Sequence, residues 1–385
     1  MKEFKNRISQ IKKDGRYRKR IATQSAQDVV IKINNEYINN FSSNNYLNLS
    51  NSPYLIKQMK KHLSKYGVGS GASPLISGYS DAHLKIENRL SQIMGFQSSL
   101  VSNSGYLTNV GLLNAITEKK ADVFQDRENH NSIIESSRLS NSKLIRYKHL
   151  DYFDLENKIL ASNSNKKIIF IDSVFSMTGE KYDLEKISRI AKKYGCLLFV
   201  DDAHGFGVTR KDERLFPSSL NGINKNKVKI DAYIGTFGKA IGTFGAFVCG
   251  SKSLIDLLIQ NSKPYIYSTA LPAAVVSTTL DSINYIMKNK ILSTKLKNNI
   301  LFFKKLASDN DIKLNESHTQ IQTITIGDPK KVMNIHKKAL MSKIYLQAIR
   351  YPTVPLNRDL LRINLTSGHS KKQIQSLVEF LKNTL

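Results

Sequence analysis

Apolar strand-like runs alternating with amphipathic helical runs predict an α/β fold: a large, mostly parallel sheet domain followed by a small C-terminal α/β domain. Three observations carry this reading. Lys167 to Val200 reads as strand, helix, strand, with Asp183 capping the helix and Gly195 ending it. Residues 273–308 read as long lysine-flanked helices that link two lobes, and from about residue 319 the texture is strand, helix, strand, helix. The boundaries expected are 1–50 for an N-terminal segment whose β-hairpin packs on the small domain, 51–285 for the large domain and 286–385 for the small one.

Taken in order, Phe4 to Ile11 is helical in pattern within a basic, polar stretch. Val29 to Phe41 alternates around Asn34 and Asn35, which predicts a β-hairpin. A polar turn spans Ser42 to Leu47, and a helix follows Pro53. Gly67 to Pro74 is a flexible loop rich in backbone donors. Ser80 or Asp81 then caps a helix with Leu84, Ile86, Leu90, Ile93 and Met94 on its apolar side. Leu100 to Asn109 is a strand whose Ser-Gly turn opens a helix, and such a helix start is a natural phosphate cradle. Ser251 to Ile259 is helical, and Pro264 to Pro272 is an aromatic-rich loop. Strands are expected over Gln320 to Ile326, Ile344 to Ile349 and Leu360 to Thr366, with helices over Met333 to Met341 and after a Ser370 cap.

Composition narrows the class. The chain of 385 residues is 41% hydrophobic and 23% charged, ordinary for a globular protein. No apolar run reaches the roughly 18 residues of a membrane span, and the first twenty residues lack an apolar core, so no signal peptide is expected. Cys196 and Cys249 each sit in an apolar run, which suits reduced thiols in a cytoplasmic protein rather than a disulfide or a metal site. The net charge is +27, from 58 basic and 31 acidic residues, and it suits nucleic acid, an anionic surface or an acidic protein partner. The lysines are scattered as pairs along the whole length, so a bias toward Lys, Asn and Ile explains much of the charge, and neither a nucleic acid nor a membrane partner is expected.

Chemistry concentrates in a few places. Lys239 is the one basic residue in a run holding Gly235, Gly238, Gly242, Gly245 and Gly250. Glycines let a lysine sit on an exposed turn facing a ligand, and a partly desolvated amine is neutral enough to attack a carbonyl. Alone, the same pattern fits a solvated loop lysine. Asp201, Asp202 and His204 follow directly after an apolar strand, at the carboxyl end where parallel sheets bind ligands; they read equally as solvated loop acids. A lone His130 is more often a satisfied structural group. Arg362 lies in a strand among leucines and isoleucine, where an arginine pairs with an anion.

Together these pieces resemble the α-oxoamine synthase family, pyridoxal-phosphate enzymes of fold type I. The motifs run in order: SSNNYL at 42–47, GVGSGASPLISGYSDAH at 67–83, SGYLTN at 104–109, NH at 129–130, DSVFSMTGE at 172–180, DDAHG at 201–205, TFGKAIG at 236–242, YSTALP at 267–272, and PTVP with LRINLT within 352–366. The resemblance implies that pyridoxal 5'-phosphate is bound by the large domain through Lys239, with Asp201 at the ring nitrogen. It implies His130 on the ring face, His204 and Ser176 near the phenolic oxygen, and phosphate contacts from Gly105, Tyr106 and Thr236. Thr269 would reach the cofactor of a second subunit, so a homodimer with shared sites is implied. Arg362 matches the binder of the amino-acid carboxylate; Asn44 and Thr353 match substrate contacts, as does Arg18 or Arg16. No metal is implied.

The SGYSDAH and AIRYPTVP segments favour the member that condenses L-alanine with a pimeloyl thioester, carried on coenzyme A or acyl carrier protein. Glycine C-acetyltransferase, serine palmitoyltransferase and quorum-signal α-aminoketone synthases share the cofactor kit and stand as alternatives. A basic nucleic-acid-binding protein on a degenerate enzyme fold is the reading from outside the class. The family usually has Glu where Asp172 and Asp202 stand, and commonly Gly-Gly-Ser-Arg where this chain has Gly-Ala-Ser-Pro at 71–74. The last departure bears on which thioester is used.

Overall fold

The computed structural model describes residues 1–117, 120–224 and 228–385. Among the described residues thirteen strands form three sheets. They are β1 (Val30–Ile33), β2 (Glu36–Asn40), β3 (Ser98–Ser102), β4 (Ala121–Asp126), β5 (Ser142–Tyr147), β6 (Lys167–Asp172), β7 (Leu197–Asp201), β8 (Ala232–Thr236), β9 (Ala246–Gly250), β10 (Ile321–Thr325), β11 (Ile344–Tyr345), β12 (Gln347–Ile349) and β13 (Leu360–Asn364). The chain divides into two compact units. One comprises Met1–Asn51, Ser176–Glu180 and Thr294–Leu385; the other comprises Ser52–Phe175 and Lys181–Ser293.

The larger unit holds a seven-stranded sheet in the order β3-β9-β8-β7-β6-β4-β5. Strands β5, β4, β6, β7 and β8 are parallel, while β9 runs antiparallel to both β8 and β3. Strand side chains alternate between faces, so a parallel strand covered on both sides must be apolar at every position. Ile168 and Phe170 accordingly join one core with the helices Gly105–Ile116 and Lys252–Asn261. Ile169 and Ile171 join the opposite core with the helices Tyr152–Leu160 and Leu184–Lys193. All four are fully buried, each worth about 1.5–3 kcal/mol. Asp183 caps the Leu184–Lys193 helix through the amides of Glu185 and Lys186, and Gly195 follows with positive φ. This is the βαβ unit the sequence predicts.

In the other unit β13 lies between β10 and β12, antiparallel to both. The expected hairpin is present as β1 and β2, with Asn34 and Asn35 at positive φ in its two-residue turn. Strand β2 pairs in parallel with β11, aligning Asn39 with Ile344. The run 344–349, expected as one strand, is two: β11 serves the hairpin sheet and β12 the sheet of β13. Leu346 between them is fully buried, which pins the crossover. Leu84, expected on an apolar face, points outward with half its surface exposed. Among the described residues no helix is long and apolar enough to cross a membrane.

Candidate active site

The apolar run of β7 ends at Asp201, which is buried. Its Oδ2 accepts a 2.7 Å hydrogen bond from Asn109 Nδ2, and its Oδ1 accepts one from the Ala203 amide at 3.0 Å. Asn109 lies one turn into the helix Gly105–Ile116, is fully buried, and also donates to Ser132 Oγ at 2.9 Å. Ser132 Oγ lies 2.8 Å from His130 Nδ1, and the Ser132 amide donates to the same nitrogen. Nδ1 accepts from the Ser132 amide, which leaves the imidazole proton on Nε2 and the ring neutral. Its pKa is held below the usual imidazole range by desolvation, against the pull of Asp201 and with the help of the Lys239 charge. Asp201 and His130 are thus joined through Asn109 and Ser132. Neither linking residue was assigned a role from the sequence: Asn109 closes the SGYLTN motif, four positions after Gly105 on the same helix face.

Asp172 fixes His130 from the other side, accepting from its amide at 2.6 Å. Burial, then the Asp201 carboxylate, push the Asp172 pKa well above the usual carboxylate range. Asn129 ties this turn to β6, donating to the Phe170 carbonyl at 2.7 Å.

Asp202 is not a solvated acid. It is fully buried and accepts from Ser173 Oγ, Ser219 Oγ, the Ser219 amide and the Tyr233 hydroxyl. Burial raises its pKa while these bonds oppose the rise. With its acceptors engaged on protein, Asp202 builds the turn after β7. A Cβ on Gly205 would lie 2.1 Å from Asp202 Oδ1, so only glycine fits there. His204 is buried in the same turn.

Lys239 stands on a clamped loop beyond β8. Phe237 and Gly245 are joined amide to carbonyl at 2.8 Å, the Thr243 amide bonds the Phe237 carbonyl at 2.9 Å, and the Gly242 amide bonds the Lys239 carbonyl at 3.0 Å. Gly242 and Gly245 have positive φ, and at Gly245 a Cβ would lie 2.6 Å from Leu271. Buried Phe237, Ala240 and Ile241 anchor the loop while Lys239 stays half-buried. Thr236 ends β8, and its methyl sits 2.8 Å from where a Cβ on residue 105 would be. Gly105 therefore lets the helix start approach Thr236. Ser104 caps that helix by accepting from the Leu107 amide, and the first-turn amides of Gly105 and Tyr106 have no intrahelical acceptor. Thr269 is exposed, on the segment after the short helix Lys263–Ile266.

The other unit holds the remaining predicted residues. Arg362 is buried on the central strand β13. Its Nε donates to the Ser176 carbonyl at 2.7 Å, and Nη1 and Nη2 donate to Asn44 Oδ1 at 3.2 and 3.3 Å. Asn44 Oδ1 also accepts from the Tyr46 hydroxyl and from Asn364 Nδ2. Among the described residues no carboxylate forms an ion pair with Arg362, and three of its five donors account for these bonds. The charge is positioned without being neutralised. Arg18 Nη2 lies 3.4 Å from Thr353 Oγ1. Both line a cavity of about 520 Å³ with Arg16, Lys19, Arg350, Ile21, Leu340 and Ile349. Arg16 pairs with Asp14 at 3.2 Å and stacks on Tyr351.

The donor set suits pyridoxal phosphate: a buried carboxylate at a strand end for a ring nitrogen, helix-start amides with a threonine for a phosphate, and a half-buried lysine for the aldehyde. These features define a pyridoxal-phosphate enzyme of fold type I. The family model described as aminotransferase class I and II matches residues 37–381, and the chain belongs to that family. An 8-amino-7-oxononanoate synthase of Nitrosococcus oceani is 36% identical over 96% of this chain and 97% of its own. The structure of an 8-amino-7-oxononanoate synthase from Francisella tularensis superposes with a TM-score of 0.77 at 28% identity, covering 90% of this chain and 97% of the other. A serine palmitoyltransferase variant from S. paucimobilis with bound PLP–myriocin shares the fold, with a TM-score of 0.91 at 23% identity over 99% of this chain and 96% of its own.

Proposed function

We propose that this chain condenses L-alanine with a pimeloyl thioester to give 8-amino-7-oxononanoate, carbon dioxide and free thiol, a step of biotin biosynthesis. The near full-length likeness to enzymes of that name carries the choice of substrates. The carrying structural observation is a clamped Lys239 loop after β8 and, at the end of the adjacent strand β7, a buried carboxylate, Asp201, held by Asn109.

Bound pyridoxal phosphate supplies an electron sink for the carbanion at the amino acid's α-carbon. Asp201 would keep the ring nitrogen protonated, Gly105, Tyr106 and Thr236 would hold the phosphate, and neutral His130 would cover a ring face. Ser176 and His204 are assigned to the phenolic oxygen. Arg362, aimed by Asn44, binds the alanine carboxylate. Lys239 would hold the cofactor and, once the amino group of alanine has displaced its own, would take the α-proton. The α-carbon bonds the thioester carbonyl as the carbon–sulfur bond breaks. Loss of the carboxylate as carbon dioxide follows, and Lys239 returns a proton to carbon. Arg18 and Thr353 are assigned to the acyl substrate. The site is completed in a homodimer, with Thr269 reaching the second subunit's cofactor phosphate. The two buried free cysteines suit a cytoplasmic setting. An acidic acyl carrier protein as donor fits the +27 charge, and a KM for the carrier-bound substrate that is flat in salt would count against it.

The test is a visible absorption titration of purified protein with L-alanine, glycine and L-serine, followed by product analysis with pimeloyl thioester. The proposal requires a cofactor band that Lys239→Ala abolishes and release of the aminoketone from alanine above the other two. A colourless protein that added pyridoxal phosphate cannot reconstitute refutes it; retarded duplex DNA from the same sample would revive the nucleic-acid reading.

A further inference from the structure

Thr269 is exposed while Ala270 and Leu271 beside it are buried, so the chain reverses from surface to core within one residue. Such a reversal holds a side chain outward in one direction only when the backbone on either side is tied. Three polar backbone groups of residues 269 and 270 are tied, all to two distant segments. Asn103 Nδ2 donates to the Thr269 carbonyl at 2.9 Å. Ser70 Oγ donates to the Ala270 carbonyl at 2.6 Å. The Ala270 amide donates to the Ala72 carbonyl at 3.0 Å. The join has no slack: a Cβ on Gly78 would meet the Ala72 carbonyl at 2.3 Å and Ala270 Cβ at 2.8 Å.

We propose that Ser70 and Asn103 are positioning residues for Thr269, a strap that fixes the backbone from which its hydroxyl is presented; this rests on the reading of Thr269 as a contact to the second subunit's cofactor phosphate. Ser70 and Asn103 touch no reacting atom in this scheme. They act by removing backbone freedom at Thr269, which concentrates its hydroxyl at one point. The strap also gives the glycine-rich loop Gly67 to Pro74 a role separate from substrate contact: through Ser70 and Ala72 it is the floor beneath Thr269.

The experiment measures the dissociation constant of pyridoxal phosphate from the dimeric apoenzyme by fluorescence titration. It compares wild type, Thr269→Ala, Asn103→Asp, Ser70→Ala, Ser70→Thr, and Asn103→Asp combined with Thr269→Ala. Asn103→Asp keeps the shape and removes the donor. It and Ser70→Ala are expected to weaken cofactor binding about tenfold, the scale of one lost hydrogen bond. Ser70→Thr keeps its hydroxyl and should bind as wild type does. The double variant should bind no worse than Thr269→Ala alone, because a strap has nothing left to position. Full additivity in the double variant, or wild-type binding by Asn103→Asp while Thr269→Ala is weakened, overturns the strap alone. Wild-type binding by Thr269→Ala overturns the reading beneath it and the strap together.

Discussion

Glu87→Gln removes a single titration from the larger unit. Glu87 lies on the helix Asp81–Met94, its Oε1 accepting from the Val101 amide at 2.9 Å and its Oε2 from the Tyr79 hydroxyl at 2.6 Å. Burial pushes its pKa to about 7, above the ordinary 4.5, with the two hydrogen bonds opposing the rise. A carboxyl with a raised folded pKa is favoured while protonated. Its contribution is therefore complete below about pH 4.5 and is lost as pH rises through about 7. At 1.36 kcal/mol per unit the gap sets a ceiling of about 3 kcal/mol, and water at the residue's partly exposed edge brings the figure to about 1–2 kcal/mol. Glutamine is neutral at every pH; its carbonyl accepts the Val101 amide and its amide donates to the Tyr79 oxygen. Melting temperatures of cofactor-loaded wild type and Glu87→Gln, compared pairwise from pH 5 to 8.5, should coincide at the acid end. At the alkaline end the variant should melt higher by a few degrees. A difference flat in pH, or a variant that melts lower at pH 8, would refute the argument.

Three further outcomes follow from the geometry. Arg362→Lys loses the fork that spans the Ser176 carbonyl and Asn44, so the KM for L-alanine should rise at least about tenfold in steady-state assays. Asn109→Ala leaves Asp201 Oδ2 and Ser132 without their shared donor, and the cofactor's dissociation constant should rise about tenfold by absorbance titration. Burial raises the Cys196 thiol to about 11 and Cys249 well above its usual range, so a thiol reagent at pH 8 should find neither in the native protein and both after denaturation.

What could be read from the sequence divides along physical lines. The βαβ run was legible because Ile168 to Ile171 must be apolar on both faces of a covered parallel strand. Lys239 was singled out by the glycines around it, and only the ordered set of motifs along the chain set it apart from a solvated loop lysine. Residues 344–349 looked like one strand because their split depends on β2 and β13, partners remote in sequence. Asp202 could be read either as a solvated loop acid or as a site acid for the same reason: Ser219 and Tyr233, which bury it, lie 17 and 31 positions away. Asn109 and Ser132 resemble solvated helix polar groups until Asp201 and His130 are brought beside them.

The smaller unit is assembled from both ends of the chain, and this has a consequence for its synthesis. At about 5–20 residues per second, a ribosome that has just released Asn39 needs about 15–60 s to release its partner Ile344. During that interval β2 has an unpaired edge, and Ile31, Ile33 and Ile38 lack the Leu340 and Tyr345 that later pack against them. Residues 52–293, by contrast, emerge as one nearly continuous folding unit. A message that ends after residue 293 therefore yields a chain with the whole of its larger unit, while its first fifty residues keep the β1–β2 hairpin and lack β11 and the rest of Thr294–Leu385.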